Sequence, residues 1–287
     1  MISSRRTFLT AAASALVLRS GTASSPLCLF SKHLPDLNYD ELGKTVKELG
    51  FAGVDLTVRP KGHVLPERAG EDLPRAVETL RKHGLQVPMI TTEITSASDP
   101  TAGPILRTAA RLGVTHFKPG YWKYGPGDVT ARVKEVGAEV RRLAGLAGEH
   151  RIVMGLHNHN GLYVGEAVWD TWEMIRDLDP RWTGFYYDPA HAAIEGGVGG
   201  RDVSLRLALP RLKMIAVKDF FWRREQAGWK PVWCPMGDGA VDWTSAVRTW
   251  TQAGFNGPIS LHLEYPAKDV LAAIRHDLAW TRNAMAG

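Results

Sequence analysis

The sequence predicts an α/β protein made of a single closed (β/α)8 barrel, the TIM-barrel architecture. Three observations predict it. Eight short apolar runs alternate with amphipathic stretches; glycines follow four of those stretches where a helix has to stop; and seven of the eight runs carry polar residues at or near their C-terminal ends. An open doubly wound sheet is the alternative, but no G-x-G-x-x-G follows the first run.

Before the first run, residues 1–23 read as a separate signal peptide, leaving residues 24–287 for the barrel. The adjacent Arg5 and Arg6, with Thr7, Phe8 and Leu9 behind them, have the form of a twin-arginine signal read by an export machinery, which places the mature protein in the periplasm. The apolar stretch Phe8–Leu18 is too short to span a membrane. Removing residues 1–23 takes away Arg5, Arg6 and Arg19 and no acid, so a net charge of +5 falls to +2. A near-neutral surface is not the basic stripe of a nucleic-acid binder. Cys28 and Cys234 are the only cysteines and make no disulfide framework.

The expected strands run at residues 27–30, 53–58, 87–94, 115–119, 152–157, 183–188, 212–218 and 258–264. Between them, Tyr39, Leu42, Val46 and Leu49 keep the three-or-four spacing of a helix face, as do Val168, Trp172 and Ile175. Gly50, Gly84, Gly113 and Gly254 stand where a helix needs a left-handed closing residue. In such a barrel chemistry gathers at the C-terminal ends of the strands. Those ends carry Asp55, Thr57, Thr91, Glu93, Lys118, His157, His159, Asp188, Lys218, Asp219 and Glu264. Strand alternation puts Glu264 on one face with His262 and Ser260, His157 with Gly155, Asp188 with Tyr186, and Lys218 with Ala216 and Met214. Several buried carboxylates at one height need cations or a metal beside them.

The segments FAGVDL (51–56), HNHNG (157–161), YYDPAHA (186–192), MIAVKDF (214–220), PMGDGAVDW (235–243) and SLHLEYP (260–266) carry a resemblance in their order and spacing. The sequence resembles the xylose-isomerase-like barrels: sugar isomerases and epimerases, with inosose dehydratases and zinc-dependent abasic-site endonucleases as relatives. The resemblance implies one divalent metal held by acidic and histidine side chains at strands five to eight. Asp188 and Glu264 match that pattern, His157 stands where the family carries a glutamate, and Ala216 stands where it carries a histidine. The implied ligand set is therefore His157, Asp188 and Glu264, a mixture suited to Mn, Zn or Fe; the alternative is that Lys218 fills the space and neutralises Asp188 or Glu264, leaving a metal-free site.

The expected activity is that of an exported isomerase or epimerase moving a proton next to the carbonyl of a sugar or keto-sugar. Glu264 is the candidate base, His157 the ligand or partner acid, and Lys218 or the metal the stabiliser of negative charge. His159 and His191 are expected to contact a small-molecule carbohydrate substrate or to support groups that do. Lys118 and Glu93 either face that substrate or form a buried salt bridge. Trp122 and Trp222, directly after strands four and seven, are placed over the mouth, where an indole can stack on a sugar. His262 reads as a hydrogen-bonded core histidine, and the GDGAVDW segment as a turn into a helix. A lyase or hydratase on keto-glycosides, and a sugar-binding protein without activity, are the competing readings. A nuclease is disfavoured by the charge.

Overall fold

The computed structural model describes residues 25–286; the signal peptide read at residues 1–23 lies outside the described residues. Strands β1 (Leu27–Phe30), β2 (Gly53–Val58), β3 (Gln86–Thr92), β4 (His116–Lys118), β5 (Val153–His157), β6 (Thr183–Tyr187) and β7 (Leu212–Val217) follow the expected runs to within two residues at either end. After β7 the chain makes an antiparallel hairpin, β8 (Asp219–Glu225) and β9 (Gly228–Cys234), before the last barrel strand β10 (Ile259–Leu261). Seven strands pair in chain order and β10 closes the ring between β7 and β1, every barrel pairing parallel. The hairpin was not expected from the sequence.

Helices α1 (Tyr39–Leu49), α2 (Ala69–Lys82), α3 (Ala102–Arg111), α4 (Val129–His150), α5 (Val168–Ile175), α6 (Pro189–Ala208), α7 (Trp243–Gln252) and α8 (Val270–Ala286) wrap the barrel. Local sequence explains their ends. Asn38 and Glu41 form a reciprocal capping box at α1, and Asp242 caps α7 through the amide of Ser245. Gly50, Gly84, Gly113 and Gly254 all adopt positive φ just past a helix. Leu42, Val46 and Leu49 bury the inner stripe of α1, each contributing about 1.5–3 kcal/mol by leaving water. Among the described residues no helix is long and apolar enough to cross a membrane.

Two cores result from the alternation. The larger lies between strands and helices; the smaller fills the barrel interior with Met89, Tyr186, Met214 and Ala216. Gly155 makes that interior possible, since any side chain there would overlap Met214 and crowd Tyr186. Above this plug the inward-facing positions turn polar.

Candidate active site

A pocket of about 180 Å³ opens at the C-terminal mouth of the barrel. Its walls include Lys32, Lys118, His157, His159, Lys218 and Glu264, drawn from the ends of four barrel strands and the turn after β1.

Asp188, fully buried, is the centre of the polar cluster beside it. As the N-cap of α6, its Oδ1 accepts from the amides of Ala190 (2.9 Å) and His191 (3.0 Å). Asn158 fixes its backbone from β5, accepting from its amide at 2.8 Å and donating to its carbonyl at 3.0 Å. This leaves Oδ2 facing Lys218 Nζ at 3.0 Å and His157 Nε2 at 3.2 Å. Burial works to raise the Asp188 carboxyl, but Lys218, then His191 and His157, outweigh it and hold it well below the usual carboxylate range.

These contacts set the histidine tautomers. A carboxylate only accepts, so His157 donates from Nε2, and its Nδ1 accepts from the Tyr121 hydroxyl at 2.6 Å. Burial pushes His157 down to about 3, so it is neutral with both nitrogens engaged. Lys218 Nζ also donates to His191 Nε2 at 2.6 Å, which puts the His191 proton on Nδ1, a buried atom with no partner among the described residues. His159 donates from Nδ1 to the Asn160 carbonyl at 2.8 Å. Its Nε2 makes no hydrogen bond among the described residues, and burial lowers the ring to about 4. His159 is thus a neutral imidazole with a free lone pair at the pocket wall.

On the opposite wall Glu264 Oε1 meets Lys32 Nζ at 2.6 Å. Burial works to raise Glu264, yet Lys218 and Lys32 more than offset it, keeping the carboxyl ionised. Lys118 is buried with its Nζ 3.3 Å from the centre of the Tyr121 ring and no acid in ion-pair range among the described residues. Burial, and secondarily Arg59, push its ammonium well below the usual lysine value. Below the pocket Asp55 accepts from Thr91 (2.8 Å) and Ser260 (2.9 Å), and burial raises it to about 6. His262 joins the pocket wall and shares a 3.0 Å hydrogen bond with the Tyr186 hydroxyl.

The structure therefore brings His157, His159, His191, Asp188, Lys118, Lys218 and Glu264 to one end of the barrel. It separates three expected residues from the pocket. Trp122 is buried and does not line the pocket, its Nε1 donating to the Thr95 carbonyl at 3.0 Å. Glu93 has left the strand geometry and lies exposed, 3.8 Å from Arg59 rather than beside Lys118. Trp222 stands on the hairpin, 41 % exposed. Lys32 and Tyr121 were not singled out from the sequence, although Lys32 follows the end of β1 as Lys118 ends β4. Asp219 is accounted for by the following loop: it accepts from Trp243 Nε1 at 2.9 Å and from the amides of Phe220, Gly237 and Val241.

A sequence profile of the xylose isomerase-like TIM barrel matches residues 44–284. The chain belongs to that family. No curated protein matches it. Solved structures with the same fold include the 3-keto-D-glucoside 4-epimerase YcjR from E. coli in its apo form (17 % identity, TM-score 0.69, covering 91 % of this chain and 100 % of that one). Another is a xylose isomerase-like TIM barrel protein from Mycobacterium smegmatis in complex with magnesium (16 %, TM-score 0.70, 92 % and 98 %). A third is the probable 3-DHS dehydratase AsbF from Bacillus anthracis (14 %, TM-score 0.71, 90 % and 99 %).

Metal donors in this xylose isomerase-like barrel differ from the set expected. His157, Asp188 and His191 each offer an atom within 4.8 Å of the other two, and two imidazoles with a carboxylate are compatible in type with a divalent ion. Glu264 is outside that group, because Lys32 holds it. Ala216 offers no donor. Lys218 already engages Asp188 Oδ2 and the His191 Nε2 lone pair, and His157 Nε2 carries a proton. The Lys218 ammonium sits among these compatible donors, so an ion held by them would take its place.

Proposed function

We propose that this protein is an exported, periplasmic sugar isomerase or epimerase that moves a proton on the carbon beside a carbonyl. The observation that carries the reading is the convergence on one pocket of an ionised carboxylate, Glu264, a neutral imidazole with a free nitrogen, His159, and the buried ammonium of Lys218. Proton removal needs a base, return of the proton needs an acid, and the enediolate between them needs fixed positive charge. Glu264 takes the proton and His159 returns it or relays it between oxygens. Lys218, with Lys32 and Lys118 near it, stabilises the developing oxyanion. His157, with both nitrogens engaged, orients Asp188 and Tyr121 rather than exchanging protons itself. The expected Mn, Zn or Fe ion enters this reading only if it displaces Lys218, and no step depends on it.

The neighbours named for a 3-keto-glucoside epimerase and a dehydratase support this class, and the dehydratase keeps a second outcome open. Elimination from a keto-glycoside begins with the same proton removal and differs in what leaves. Incubating the mature protein in D2O with aldoses, ketoses and 3-keto-glycosides, followed by mass spectrometry, tests all of these. Deuterium gained with the sugar skeleton intact is the expected result, lost in Glu264→Gln. A fragment or water released identifies a lyase or hydratase. Binding without exchange for every sugar would leave a non-catalytic sugar-binding protein.

A further inference from the structure

The β8–β9 hairpin places three indoles on one face. Its register pairs Phe220 with Trp233, Trp222 with Pro231 and Arg224 with Trp229, so Trp222 is the diagonal neighbour of both Trp233 and Trp229. The inner end of this row touches the site: the Trp233 ring lies 5.3 Å from that of His191, and Lys218 Nζ lies 4.9 Å from its centre. Phe220, buried, packs edge-on against both Trp222 and Trp233 and fixes the base of the row. Towards the tip the rings open to solvent, Trp222 at 41 % and Trp229 at 64 %. From Trp233 to Trp229 the strand rises four residues, roughly 14 Å, longer than one sugar ring, whereas the pocket at its foot holds only about 180 Å³. Indoles left exposed in a row are costly on a free surface, and they are the surface on which the apolar faces of sugar rings stack.

We propose that this hairpin face is an extended carbohydrate subsite, so that the ligand is a sugar joined to at least one further sugar ring, the terminal ring entering the pocket and the rest lying along Trp222 and Trp229. The inference rests on the sugar-directed reading of the pocket and adds the size of its ligand. Arg224, opposite Trp229 on the same face, is placed to donate to ring hydroxyls at the outer end.

The test is binding, read by titration calorimetry and tryptophan fluorescence, with cello-, xylo-, manno- and malto-oligosaccharides of one to five units. Wild-type protein is expected to bind a trimer of at least one series tenfold or more tightly than its monomer. Trp222→Ala and Trp229→Ala are each expected to weaken that longer sugar about five- to tenfold while leaving the monosaccharide unchanged, the size of effect one stacked ring supplies. Both rings are exposed, so unchanged thermal melts will confirm folding. Affinity independent of chain length in every series overturns the proposal, as does a variant pair that binds the long sugar like wild type. A wild-type dimer in sedimentation that Trp222→Ala and Trp229→Ala convert to monomer also overturns it, assigning the face to a second copy of the chain. Because none of these readouts needs turnover, length-dependent binding without deuterium exchange would sink the isomerase reading and leave this one standing.

Discussion

Replacing Lys218 by Met removes one ammonium from a buried cluster while keeping most of the side-chain volume. Among the described residues Asp188 then loses its one ion-pair partner of fixed charge, a change that costs about 3–5 kcal/mol when a buried pair is broken. The lower end applies, since Oδ1 keeps two backbone amides and Oδ2 keeps His157 Nε2. A loss of about 3 kcal/mol lowers the melting temperature by roughly 6–12 °C in a chain of this size. The same substitution removes the ammonium from the His191 lone pair and from Asp188 Oδ2, so an ion that displaces the His157 Nε2 proton can use His157, Asp188 and His191 as donors. Zinc or manganese at about a hundred times its dissociation constant should return about 2.7 kcal/mol to the variant. Thermal melts of chelator-treated protein, with and without each metal, together with elemental analysis, measure both effects. Wild-type protein is expected to carry no stoichiometric metal and to gain little from either ion. A wild type that holds one ion per chain, or that is stabilised as strongly as Lys218→Met, would refute the claim that the lysine occupies the metal's place.

Tyr121→Phe removes the hydrogen bond to His157 Nδ1 and should cost about 1 kcal/mol in urea unfolding, since the nitrogen is left without a donor; a larger drop in kcat than in KM is expected as His157 loses its orientation. Trp122→Phe should lose a similar amount of stability through the bond to Thr95 but leave sugar affinity unchanged, as titration calorimetry will show. Acid should withdraw the stability held by neutral His157 before the carboxylates other than Asp55 titrate; Asp55, raised to about 6, works in the opposite direction. The His157 value of about 3 lies below the unfolded value near 6.5, so the unfolded chain takes the proton first; stability is full above that value and falls as pH drops towards 3, with about 2 kcal/mol lost from this residue by pH 5. Urea midpoints at pH 7 and pH 5 check the sign, and His157→Gln should flatten the slope.

The barrel was legible because its strands are continuous apolar runs and its helices carry a 3.6-residue stripe, patterns that packing against one core enforces. Asp188, Lys218 and His157 were legible for the same reason, since alternation and strand end together fix their direction. Positions beyond the last ladder bond were not. Glu93 is one residue past β3, where the pleat no longer constrains the side chain, and it turns out towards Arg59. Trp122 follows Gly120, where the chain passes so close to the Glu93 carbonyl that a Cβ would overlap it, and the turn directs the indole inward. The hairpin left a weaker signal: two mixed runs on either side of Gln226–Ala227, followed by Gly228, which adopts φ 116° where β9 begins. Ligand sets are legible as residue types but not as partners. Glu264 was expected beside Asp188, yet the long side chain of Lys32 reaches Glu264 from a strand end far away in sequence and takes it out of the set.

Charge balance at the mouth argues for chemistry that creates an anion. Asp188 and Glu264 are each matched by a lysine within 3.0 Å, and two further basic side chains, Lys118 and Arg59, line the same pocket, neither within ion-pair range of a buried acid among the described residues. A neutral sugar gains little from that surplus in its ground state, because its hydroxyls exchange one set of hydrogen bonds for another. An enediolate gains a great deal, because its charge appears where the cations already stand and nothing has to reorganise. The surplus therefore favours the transition state over the substrate. Burial pushes the Lys118 ammonium below the usual lysine value, and a negative charge forming beside it works the other way.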